Sequence, residues 1–265
     1  MGSPKAALDW HGSTLLRRVT GLAQRTVEGP VVVVRAPEQE LPPLDLSVEV
    51  VADALEGRGP LQGLAAGLAA IGDRAEVAYV SSTDVPLLHP AFIRRVIGAF
   101  TADVDVVLPE VHGFRQPLAA GYRTSLLTEV TALIAAGKLK PAFLFERCRV
   151  LWLDDAAMLR DGALAAADPE LASTRNLNER GDYDQAHALP APGIEVRRFG
   201  TLAMGGAPRT QRVAAWTLGQ VADAIALPLD DHVVAVLNGD QVTRDREIPL
   251  AAGDTVGFIV ADAGG

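Results

Sequence analysis

Residues Glu76–Leu88 read "EVAYVSSTDVPLL", and the fold turns on how that run is taken. Four uncharged residues from Val77 to Val80 would make both faces of a strand apolar, as in a strand covered on both sides. Helical patterns flank it: "GPLQGLAAGLAAI" (59–71) before it and "PAFIRRVIGAF" (90–100) after it, each opened by a proline suited to a first helical turn. "VVVV" (31–34) and "VDVVLPE" (104–110) read as further strands buried on both faces. Strand, helix, strand in repetition predicts an α/β chain with a Rossmann-like, doubly wound, mostly parallel sheet.

The pattern changes at "LPAPG" (189–193), whose two prolines and glycine make it the best linker candidate. Beyond it come a strand, "IEVRRFGTLA", and a helix, "TLGQVADAIAL", with Thr217 as N-cap. "HVVAVLNGDQV" then runs into an Asn-Gly turn, and "AAGDTVGFIVADAGG" supplies a Gly-Asp turn and a last strand. Two domains are expected, residues 1–189 and a small α+β domain over 193–265.

At 265 residues, 49% of them apolar, the chain can bury a large core and a small one. Its 24 basic residues against 33 acidic ones exclude a broad nucleic-acid surface. The single Cys148 cannot form an internal disulfide and reads as structural, and no Cys/His cluster has zinc-ligand spacing. No signal peptide or membrane-length apolar run is evident, so the expectation is a cytoplasmic protein with neither nucleic-acid nor membrane partners.

Asp84 falls just past the carboxyl end of its strand, where open α/β sheets bind ligands. A carboxylate there suits Mg²⁺ carried on nucleotide phosphates, or else it caps the helix at Pro90. Gly59 and Gly63 surround a turn into a helix N-terminus, open to close approach by a ligand or simply packed. Arg115 and Gln116 offer polar groups after the next strand. Asn176 and Asn178 alternate, so an extended backbone would point both amides one way; the other reading makes them caps of the following helix.

Taken in order, "MGSPKAAL", "GPLQG", "DVP", "QPL" and "NLN" resemble the motifs of the MobA-type molybdenum cofactor nucleotidyltransferases, over roughly residues 1–189. The resemblance implies attack of molybdopterin's terminal phosphate on the α-phosphate of a nucleoside triphosphate, with pyrophosphate released. It implies Lys5 and Asp84 as catalytic residues, with Asp84 also holding Mg²⁺. It implies nucleotide contacts from Gly2, Lys5, Asp53, Gly59, Pro60, Leu61, Gly63 and Asp84, and substrate contacts from Arg115, Gln116, Asn176 and Asn178. GTP is the expected nucleotide, with CTP open. Asn178 is followed by Glu-Arg-Gly-Asp in place of the family's Thr-Pro-Glu-Asp. The family's first strand and the start of its glycine-rich loop have no counterpart from Met1 onward. The expectation is a start placed too late, the alternative a degenerate transferase domain.

From Ile194 the chain resembles the ubiquitin-like (β-grasp) sulfur carriers of the MoaD and ThiS type, down to the terminal Gly264-Gly265. That resemblance implies a tail adenylated by an activating enzyme, converted to a thiocarboxylate and presented to the large, MoaE-type subunit of molybdopterin synthase. Side-chain-free residues suit threading into a narrow site. The function expected is nucleotide transfer to molybdopterin together with sulfur delivery. The alternatives are an inactive transferase-like platform that acts only as a carrier, in the molybdopterin or thiamin pathway, and a cytidylyltransferase.

Overall fold

Proline opens the helices that begin at Pro60, Pro90 and Pro141. The computed structural model describes residues 5–53, 59–204 and 208–261. Two compact units emerge, Met1–Ala7 with Leu15–Leu177 and Leu8–Thr14 with Asn178–Gly265.

The first unit opens with a 3-10 turn, Lys5–Ala7, and continues as α1 (Leu15–Gln24), β1 (Val32–Arg35), β2 (Glu49–Ala52), α2 (Pro60–Ile71), β3 (Val77–Ser81) and α3 (Pro90–Ile97). It goes on through β4 (Val106–Val111), β5 (Phe114–Arg115), β6 (Ala119–Arg123), α4 (Leu127–Ala135), α5 (Pro141–Phe145), β7 (Val150–Asp154), α6 (Asp155–Met158) and α7 (Gly162–Ala167). The larger sheet is mixed, which corrects the mostly parallel sheet expected. β1 and β2 form a parallel pair of their own. In the second sheet β6 runs antiparallel to both β3 and β4 and lies between them, β5 hairpins back on β4, and β7 runs parallel along β4's other edge.

The cause is local. After β4 the chain reverses at His112 and Gly113, both at positive φ, and too few residues follow for a parallel crossover. Alanine and glycine in β6 disguise it as a loop in the sequence, yet they suit a central strand: a Cβ on Gly121 would lie 3.2 Å from Val96 and closer still to the Phe100 ring. Of the three strands expected to be buried on both faces, β4 alone is so along nearly its whole length. On one face Leu61, Leu64 and Leu68 of α2 and Val130 and Leu133 of α4 pack with Val106, Leu108, Ala120 and Tyr122.

The second unit comprises α8 (Arg180–His187), β8 (Gly193–Arg198), β9 (Thr210–Ala214), α9 (Leu218–Ala224), β10 (Val233–Leu237), β11 (Gln241–Thr243) and β12 (Thr255–Val260). Its strands are ordered β11-β10-β12-β8-β9, with β8 and β12 parallel and the other neighbours antiparallel. Leu218, Val221 and Ala222 of α9 pack with Ile194, Val196, Val256 and Phe258 of the sheet. Thr217 is the N-cap expected, its hydroxyl accepting from Gln220 N–H. Asn238 takes positive φ at the Asn-Gly turn, and its amide donates to Asp254 and accepts from Thr255 N–H. The "IEVRRFGTLA" strand is shorter than expected, ending at Arg198 before a 3-10 turn over Gly200–Ala203.

The unit boundary also differs from the expected break at residues 189 to 193. Helix α8 and the segment Leu8–Thr14 belong to the second unit because Trp10, fully buried, is ringed there by Tyr183, His187 and Trp216 at 5.6–6.3 Å between ring centres. His11 stacks between His187 (3.9 Å) and Trp216 (5.1 Å). Tyr183 donates its hydroxyl to the Asp9 carbonyl, and Gln220 donates to that of His11. Among the described residues no helix is long and apolar enough to cross a membrane.

Removing the Trp10 side chain leaves a large cavity inside this ring. Trp10→Ala is expected to destabilise the second unit by about 3–5 kcal/mol, read as a lowered midpoint in chemical denaturation followed by circular dichroism; an unchanged midpoint contradicts the packing described.

Candidate active site

Because β3, β4 and β7 run the same way, their carboxyl ends share one edge of the sheet, and the Asp84 loop after β3 meets the Gln-Pro-Leu turn (116–118) there. Lys5, from the 3-10 turn, places Nζ 2.7 Å from Asp84 Oδ2, across 79 positions of sequence. Lys5 is 39% exposed and Asp84 14%, so the carboxylate is half-sheltered while the amine stays reachable from solvent. The other oxygen, Oδ1, accepts from the Ser82 hydroxyl. Asp84's backbone carbonyl accepts from Leu177 N–H at 2.9 Å, which brings "NLN" to "DVP". Leu177 is buried while Asn176 and Asn178 on either side of it are exposed, as extended alternation requires.

Ser82 N–H donates to the Leu118 carbonyl (2.9 Å), setting the "QPL" turn beside the Asp84 loop. That turn is closed by Gln116 N–H to the Pro109 carbonyl (2.9 Å) and by Tyr122 Oη to the Pro117 carbonyl (2.8 Å). Burial raises the Tyr122 phenol's pKa, so it stays a donor. The capping alternatives do not hold. His89, not Asp84, caps α3, its Nδ1 accepting from Ala91 N–H. Glu179 stands at the N-cap of α8, and the Asp182 carboxylate takes the N–H groups of Asn178 and Glu179 (3.0 and 2.9 Å). Asp182 thus supplies the helix start that the departure from Thr-Pro-Glu-Asp puts in question.

Asp53, Gly59, Pro60 and Gly63 form a second group, at the end of β2 and the N-terminus of α2. Asp53 N–H donates to the Arg35 carbonyl (2.7 Å), continuing the β1–β2 ladder. Gly59 has φ +80°, which a residue with a Cβ rarely adopts, and Pro60 begins the helix. A Cβ on Gly67 would touch Val34 at 3.6 Å, whereas one on Gly63 would meet nothing within 4 Å. Both positions would therefore accept a Cβ, so packing demands glycine at neither, and the bare backbone of Gly63 leaves room at a helix N-terminus suited to phosphate.

One expectation needs correcting. Leu61 is fully buried among α2, α4 and the sheet, so its side chain cannot contact a nucleotide; one residue into α2, it points inward. The side chains of Arg115 and Gln116 find their partners on β4, β5 and β7. The Arg115 guanidinium lies 4.6 Å from the centre of the Trp152 ring and 4.0 Å from Glu110, and the Gln116 amide donates to the Phe114 carbonyl. The hairpin geometry of β4 and β5, invisible in the sequence, sets those partners. Gly2, Gly264 and Gly265 lie outside the described residues.

Sequence reasoning missed Arg18. Only 2% exposed, it donates through Nε to the Pro86 carbonyl, two residues past Asp84. The available signal was its place on the Leu15, Val19, Leu22 face of α1, all three buried. Burial, reinforced by the charges of Asp105 and Glu129, pushes the Cys148 thiol up to about 11, which suits a structural rather than a redox residue.

Residues 1–149, more than half of the chain, match the MobA-like NTP transferase domain. The chain belongs to that family. It is accordingly an enzyme of the nucleotidyltransferase class. Among relatives of the MobA-like transferase described here, the molybdenum cofactor guanylyltransferase of Desulfosudis oleivorans is 29% identical over 192 residues, covering 72% of this chain and 90% of that protein. A probable molybdenum cofactor guanylyltransferase of Mycobacterium ulcerans is 38% identical over 165 residues, covering 60% of this chain and 80% of that protein. In structure, the molybdopterin-guanine dinucleotide biosynthesis protein A of Archaeoglobus fulgidus matches 70% of this chain and 90% of its own, at TM-score 0.54 and 23% identity, a likeness of fold.

Substituting Gly63 separates a ligand role from packing. Gly63→Leu is expected to leave stability unchanged or raise it by up to about 1 kcal/mol, through helix propensity, while nucleotide affinity measured by calorimetry collapses. Wild-type affinity in that variant would assign Gly63 to the helix alone.

Proposed function

We propose that the first unit transfers a guanylyl group from GTP to molybdopterin, releasing pyrophosphate. The observation that carries this reading is the Lys5–Asp84 pair at the carboxyl edge of the sheet, supported by relatives named for that activity at up to 38% identity. A phosphate oxygen of the substrate attacks the α-phosphorus, the bond to the bridging oxygen breaks, and pyrophosphate leaves with the bonding electrons. Lys5 is a mobile cation able to leave Asp84 for the triphosphate, where it offsets charge developing on the leaving group. Gly59 and Gly63 leave the N-terminus of α2 open to phosphate.

The donor set fits a magnesium ion that arrives with the nucleotide. Asp84 offers two acceptor oxygens, and among the described residues no three or more His, Cys, Asp or Glu side chains gather as a resident metal cage. Mg²⁺ commonly binds through one or two carboxylates plus substrate phosphates. Asp84 would hold the ion, which supplies charge neutralisation at the phosphates. Lys5 and the ion would contend for Oδ2, so Lys5 is expected to swing to phosphate as the metal binds.

The second unit, in this reading, is a β-grasp sulfur carrier. Its support is the five-stranded mixed sheet ordered β11-β10-β12-β8-β9 with α9 packed on it. An activating enzyme would adenylate the terminal carboxylate, because a free carboxylate is a poor acyl electrophile, and sulfur transfer would then give the thiocarboxylate used by a MoaE-type subunit. Fusion would raise the effective concentration of carrier near the transferase.

Asp84→Asn is expected to lower magnesium-dependent pyrophosphate release from GTP and molybdopterin by about two to three orders of magnitude; undiminished release would remove Asp84 from the catalytic account, a wild-type chain that releases none would leave the carrier as its role, and a preference for CTP would reassign the base. Deleting Gly264 and Gly265 should abolish the thiocarboxylate seen in the intact mass after incubation with an activating enzyme and a sulfur donor. A persisting thiocarboxylate removes the tail from the account.

A further inference from the structure

We propose that Arg18 is a positioning residue for the Asp84 loop, fixing the carboxylate where metal and Lys5 meet it. A guanidinium cannot shed its charge, and burying one costs several kcal/mol in solvation unless its donors are well used. On the Leu15, Val19, Leu22 face of α1 a leucine would avoid that cost, so the arginine spends stability on something else. Its Nε–H reaches the carbonyl of Pro86, itself buried, in a loop whose Val85 and Leu88 side chains are also buried. The loop makes little regular backbone structure of its own: Leu88 N–H donates to the Val85 carbonyl at 3.0 Å, and proline at position 86 has no donor.

Asp84 is therefore held from both sides. Leu177 N–H donates to the carbonyl of Asp84 itself, and Arg18 donates to the carbonyl of Pro86 two residues on. Further along, His89 N–H donates to Ser173 Oγ (3.0 Å), and that hydroxyl donates to the buried Asp168 carboxylate (2.6 Å). The Leu177 and Ser173 anchors tie the loop to the segment after α7, and Arg18 alone of the three ties it to α1. Loss of that tie frees the Pro86 carbonyl, two residues past Asp84, and with it one anchor of the loop that carries the carboxylate. Partners behind a metal ligand commonly change metal affinity by about 10- to 100-fold when removed.

The metal half of the inference rests on Asp84 as metal carboxylate; the loop half does not. In the full chain, Arg18→Met removes the donors at similar length, and Arg18→Lys is the fallback that keeps the charge should the methionine variant fail to fold. Mn²⁺ alone, titrated by water-proton relaxation, reads the carboxylate. Hydrogen exchange at Leu177 and Leu88 N–H, relative to the amides of α4, reads the loop. Both variants are expected to weaken Mn²⁺ about tenfold and to speed exchange at those two amides selectively. A purely structural arginine would instead lower the thermal midpoint and leave both readouts of the folded protein at wild-type values, which overturns the proposal. Wild-type Mn²⁺ affinity beside faster exchange also overturns it, provided Asp84→Asn weakens Mn²⁺. If Asp84→Asn leaves Mn²⁺ unaffected, the metal reading fails and exchange at the two amides decides the positioning role.

Discussion

Asp84 has three acceptor groups, and each is taken by a different residue. Ser82 holds one carboxylate oxygen, Lys5 the other, and Leu177 N–H the backbone carbonyl. A half-sheltered carboxylate is tolerated only with such compensation, because partial removal from water disfavours its charge unless donors replace the lost solvent. Residues from the start and the end of the first unit are thereby bound to one loop. The chemistry proposed for the chain needs that loop to keep an acidic group at the sheet edge, yet within reach of a mobile cation.

What delivers the loop is the insertion of β6. By running between β3 and β4, it lets those strands end at one edge although they never pair. Its alanines and glycine allow the sheet to be approached closely on both faces, by α3 and Phe100 on one and by α2 and α4 on the other. The Ser82-to-Leu118 hydrogen bond is the last rung of that antiparallel ladder, and it sets the Gln-Pro-Leu turn next to the Asp84 loop.

The second unit is built on different means. An edge-on ring of aromatic side chains closes around Trp10, and the His11 imidazole completes a column between His187 and Trp216. Such arrangements add to the plain burial of apolar area, since ring quadrupoles favour edge-to-face and offset contacts. The short segment from Leu8 to Thr14 is thus part of that unit's core, although it lies far from the rest of it in sequence.

Much of this was legible in order along the chain. Proline-opened helices, β-branched runs and turn glycines are local signals, so α2, α3, β3, β4, the Thr217 cap and the Asn-Gly turn were fixed by neighbours within a few residues. The motif residues Lys5, Asp84 and Gly59 were also legible as types. Pairing was not. Whether β3 lies against β4 or β6, whether Leu61 faces a ligand or the core, and which partner Arg115 finds depend on contacts between distant residues that leave no periodicity to read. Residues 8–14 in the second unit and the buried Arg18 likewise arise only when helices and sheets pack. The sequence by itself determined the elements and the chemical groups available; tertiary structure decided which groups meet, because burial and pairing are properties of the packed chain as a whole.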